Sequence, residues 1–104
     1  MANSLNTNPI VLDTFSSDFT AMTGGQRVIA IVFRSPTASD RFILEATDGM
    51  WVFDLTVAAG IANGSESNIH LEFGYPGFPV SQPLTCDVSD GQYNSAARAY
   101  IYLA

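Results

Sequence analysis

One histidine, one cysteine, four arginines and no lysine leave this 104-residue chain little from which to build an active site. His70 stands two residues from Glu72, and alternate residues of a strand share a face. The pair could begin a metal site or an acid–base couple, yet one imidazole and one carboxylate hold no metal without further ligands. A solvent-facing polar strand accounts for both. A Ser-His-Asp arrangement would need His70 as its base, with a serine and an aspartate arriving from elsewhere. The Gly-x-Ser-x-Gly elbow that presents such a serine is absent. Cys86 lies in Leu84-Thr85-Cys86-Asp87-Val88, where alternation puts it on the face of Leu84 and Val88. It reads as a buried structural thiol. With no second cysteine, the chain has no disulfide framework.

Asp13, Asp18, Asp40, Asp48, Asp87 and Asp90 fall near strand ends and turns. Calcium would need several oxygens converging, and no EF-hand spacing occurs, so turn chemistry explains most of them. Gly24-Gly25 lacks phosphate-loop spacing and opens a strand rather than a helix. Asn63-Gly64-Ser65 matches a glycosylation acceptor but reads more simply as a turn. Trp51 and Tyr75 could form a platform for a sugar face. Trp51 shares its strand face with Phe53, Leu55 and Val57, however, and core is the simpler reading. The chain is therefore expected to carry no catalytic residue, no metal and no cofactor, and not to be an enzyme.

The elements that would position these groups are short and β-rich, with no sustained helical period. After a polar leader rich in Asn, strands are expected over Pro9 to Phe15, Arg27 to Arg34, Arg41 to Ala46, Met50 to Val57, Ile69 to Phe73, Leu84 to Val88 and Arg98 to Leu103. Ser16 to Thr23 reads as a short helical turn or a loop, and Ala58 to Ser67 as a loop. Both faces of Arg27 to Arg34 are apolar, which predicts a central strand covered on each side. Asp48-Gly49 marks a hairpin and Asp90-Gly91 a turn. Pro76, Pro79 and Pro83 argue against a central strand over Gly74 to Pro83, though Tyr75, Phe78 and Val80 are too apolar for an idle loop. That segment either folds over the end of the sandwich or docks on a partner. The sum is an all-β, single-domain antiparallel β-sandwich, jelly-roll-like, of about seven or eight short strands.

Ala97 to Ala104 is β-prone and nearly uncharged, and unpaired strand edges recruit other chains. It must be central in a sheet or covered by a neighbouring subunit. Tyr75, Phe78, Val80, Tyr100 and Tyr102 are thus the expected partner-interface residues. Net charge is -6 and the arginines are scattered, which argues against nucleic acid. No apolar run approaches the roughly 20 residues that cross a bilayer. The start lacks the basic and apolar regions of a signal peptide, so synthesis in a cytoplasm without export is expected.

Three stretches carry a family resemblance: Asn8-Pro9-Ile10-Val11-Leu12-Asp13-Thr14, Arg34-Ser35-Pro36-Thr37-Ala38-Ser39-Asp40 with Asp48-Gly49-Met50-Trp51, and Tyr100-Ile101-Tyr102-Leu103. In their order the chain resembles small tailed-bacteriophage proteins that decorate or cement the capsid. Gly74 to Pro83 departs from that pattern. The resemblance implies a structural virion protein on the outer surface of the phage head, bound to the major capsid protein and to copies of itself, with a trimer among the assemblies. The rival class is a carbohydrate- or receptor-binding module of a phage tail or neck.

Overall fold

Alternating apolar residues and frequent turn signals produce nine strands and, among the described residues, no helix. The structure is a computed structural model and describes residues 3–35, 39–46, 51–57, 67–89, 91–93 and 96–104, with the backbone alone at 51, 67 and 68. The strands are β1 (Ile10–Leu12), β2 (Phe19–Met22), β3 (Gln26–Ser35), β4 (Arg41–Ala46), β5 (Trp51–Thr56), β6 (Ser67–Glu72), β7 (Phe78–Val80), β8 (Leu84–Cys86) and β9 (Arg98–Leu103). They form two antiparallel sheets, ordered β1-β9-β3-β6 with β7 also on β3, and β2-β8-β4-β5.

The pairs β1 with β9, β2 with β8, β3 with β6 and β4 with β5 are nested in sequence and all antiparallel. One long hairpin rolled over itself gives that nesting. It is the jelly-roll arrangement, with β7 as an added edge strand. Between the sheets Val28, Ile31, Phe33, Phe42, Leu44, Phe53, Leu55, Leu84, Cys86 and Ile101 form one buried core. Phe33 of one sheet stacks on Phe42 of the other, with ring centroids 5.5 Å apart.

Several expectations change in detail. The strand count is nine. Ser16 to Thr23 contains β2, whose register shifts between Thr20 and Met22, so that Ala21 and Met22 are both buried and strict alternation fails. β7 arises inside the proline-rich segment, and Pro79 is tolerated there because β7 pairs only with β3. β3 is central, as expected, but it is covered on one face only. Val28, Ile31 and Phe33 are buried, while Ala30 and Val32 on its other face are half-buried and Arg34 is exposed. The Asp48-Gly49 hairpin, the turn residue Asp90, the Ala58 to Ser67 loop apart from Ser67, the Asn63-Gly64-Ser65 turn and the Trp51 side chain lie outside the described residues.

The terminal strand β9 sits between β1 and β3. Where β1 stops, the side chain of Asn8 takes over. Its Nδ2 donates to the Leu103 carbonyl and its Oδ1 accepts from the Leu103 amide, both at 2.9 Å. The Ala104 amide donates to the Arg27 carbonyl on the other side. The Asn-rich leader is therefore structural: Ser4 bridges Val11, and Asn3 pairs with the backbone of Asp13 and Thr14. An edge that would invite another chain is closed by its own leader.

Candidate functional site

The chemistry-bearing residues are kept apart by the two sheets. Cys86 is fully buried in β8 beside Leu84, and burial pushes its thiol up to about 11 despite the Tyr93 hydroxyl 3.4 Å away. Tyr93 also accepts a hydrogen bond from the Ile43 amide at 3.2 Å and stacks on Phe15. It thereby fills the gap where β8 leaves β4. Ser35 and Asp40 are buried and hydrogen-bonded to each other on the inner side of the first sheet. His70 and Glu72 are exposed on its outer face. A β-sheet thus separates the imidazole from that Ser-Asp pair, and Cys86 lies in the opposite sheet.

Three of the described aspartates do turn and edge work. Ser89 donates to Asp87 through both its hydroxyl and its amide, which holds that carboxyl below its ordinary pKa. Asp18 accepts from the Val88 amide and ties the entry of β2 to the exit of β8. Asp54 forms a two-point pair with Arg41 at 2.9 and 2.7 Å, and these hydrogen bonds lower its pKa. Among the described residues no group of three or more His, Cys, Asp or Glu could hold a metal ion, and no helix could cross a membrane.

The five expected interface residues fall into three places. Val80 is buried in the core, which takes it off the surface. Tyr75 and Phe78 belong to a projecting tip, and Tyr100 and Tyr102 to the outer face of the first sheet.

The tip originates in a bulge. The pairing of β3 with β9 shifts between Val28 and Ala30, which leaves Ile29 as the extra residue. β6 pairs with β3 as far as Ala30, and β7 pairs with it from Val28. At the junction, where the chain leaves β6 for the turn before β7, the Ile29 carbonyl accepts from the amides of Phe73 and Gly74, at 2.7 and 3.3 Å. Gly77 returns it against β3 with φ of 95°. A Cβ there would stand 2.9 Å from the Val28 carbonyl oxygen, so glycine is required. Phe78 packs on Phe53 and Phe73, with centroids 5.6 and 5.2 Å away, and caps the sandwich on this side. Tyr75 at the turn is 85% exposed.

The outer face is set by the registers on β3. Ala30 lies between Glu72 and Tyr102, and Val32 between His70 and Tyr100. Small residues on the middle strand and larger ones on both neighbours make a trough of ≈ 590 Å³, bounded at one end by Asn8 and Pro9. Sequence reasoning named Tyr102 and His70 separately but did not join them, because their adjacency exists only through β3. No protein-family model, no curated protein and no solved structure matches the chain.

Proposed function

We propose that this protein is a non-catalytic assembly protein, of the capsid-decoration kind that its sequence resembles, and that it docks on a neighbouring protein through Tyr75. One observation carries the reading: an almost fully exposed tyrosine stands on a turn tied to β3 at the Ile29 carbonyl on one side and at Gly77 on the other. Aromatic rings dominate interface energies when they enter a partner's pocket, and a pre-ordered loop loses little entropy on doing so. The jelly roll is compatible, since viral capsid domains use it, but the fold alone argues for no function. The major capsid protein is the proposed partner, and the virion surface the proposed location. Purified protein should co-sediment with expanded shells assembled from the major capsid protein encoded in the same genome. Its failure to do so at micromolar concentrations would overturn the reading.

A further inference from the structure

We infer that the trough on the outer face of the first sheet is a binding site for a neutral saccharide. It lies on different residues from the Tyr75 tip and does not depend on the docking role given to Tyr75.

The floor is apolar, made by Ala30 and Val32 of β3 with Ile29 beside them. One wall is the ring of Tyr102 on β9. The other wall carries the His70 imidazole and the Glu72 carboxylate. Among the described residues, none of the side chains of Tyr100, Tyr102, His70 and Glu72 makes a hydrogen bond or ion pair, so donors and acceptors of both signs are left for a ligand.

Other ligand classes fit this surface poorly. The trough is two strand spacings wide, about 10 Å between backbones, and a helix with its side chains is itself about 10–12 Å across. A peptide adding as a strand would need free backbone groups, and β3 is paired on both sides here. Nucleic acid and other polyanions would meet Glu72 on a chain of net charge -6. A lipid chain would leave the polar rim unsatisfied. What remains is a ligand with an apolar face and several hydroxyls on one flat ring. A pyranose has both: its C–H face can lie on Tyr102 and the Ala30 and Val32 floor, while its hydroxyls reach His70 and Glu72.

The test is an array of neutral and acidic glycans, followed by titration of any hit. Wild-type protein should bind a restricted neutral set. Tyr102→Ala should weaken that binding at least tenfold, and Ala30→Leu should do the same by filling the floor. Both variants should keep the wild-type melting temperature, and Tyr75→Ser should bind glycans normally. Absence of any bound glycan, binding confined to acidic glycans, or binding indifferent to both groove variants would overturn the assignment.

Discussion

Cys86 is the chain's one thiol, and its surroundings make it inert. Its folded pKa of about 11 exceeds the ordinary 9.0 because burial disfavours the thiolate. The stability linked to this thiol is fully present below about pH 9, where folded and unfolded chains both keep the proton. It is lost between 9 and 11, where only the unfolded chain releases it. A disulfide reagent at pH 8 should therefore leave the native thiol unmodified and react fully once the chain is unfolded. Rapid reaction with folded protein would show that Cys86 is not buried. Tyr93 makes a second residue-level case, because its hydroxyl serves both the Ile43 amide and Cys86. Tyr93→Phe keeps the stacking on Phe15 but strips those partners, and should cost about 1–3 kcal/mol in denaturant unfolding. Such roles were invisible in the sequence, since nothing at position 93 announces which distant amide its hydroxyl will meet.

Among the strands, legibility followed length and composition. β3, β4, β5 and β9 were readable because each is a run of six or more residues rich in aliphatic and aromatic side chains. β2 was not, since it has four residues and a bulge that buries Ala21 and Met22 in succession. β7 was hidden by prolines that exclude a central strand but not an edge. The covering of β3 was misread for another reason: apolar residues on an open face look the same in sequence as buried ones. His70, Val32 and Tyr100, widely separated in the chain, became one surface only through pairing. The bulge at Ile29 gives a prediction for the tip. Gly77→Ala forces a Cβ toward the Val28 carbonyl at positive φ, and should destabilise the protein by about 1–3 kcal/mol. A melting point equal to wild type would show that the tip is not held as described.

For the whole molecule, the important point is that one buried core lies between the two sheets of a single chain. Its accessible surface of 5557 Å² is close to the roughly 5,700 Å² expected of a folded monomer of this mass. The terminal strand is satisfied between β1 and β3 and no longer supplies a reason for assembly. Any self-association would join folded units, and the melting midpoint should stay constant over a hundredfold range of concentration. A midpoint rising with concentration would instead show folding coupled to oligomerisation.

The proposed docking through Tyr75 separates two neighbours that the sequence treated alike. Phe78 caps the core beside Phe53 and Phe73, whereas Tyr75 points away from it. Replacing Phe78 by Ser removes a half-buried ring and should cost about 1–2 kcal/mol, a fall of several degrees in a chain of this size. The most direct measurement pairs thermal melting with capsid co-sedimentation for Tyr75→Ser. Unchanged melting together with at least a tenfold loss of shell binding is the predicted result. Shell binding equal to wild type, at whatever melting temperature, would contradict the docking role of Tyr75.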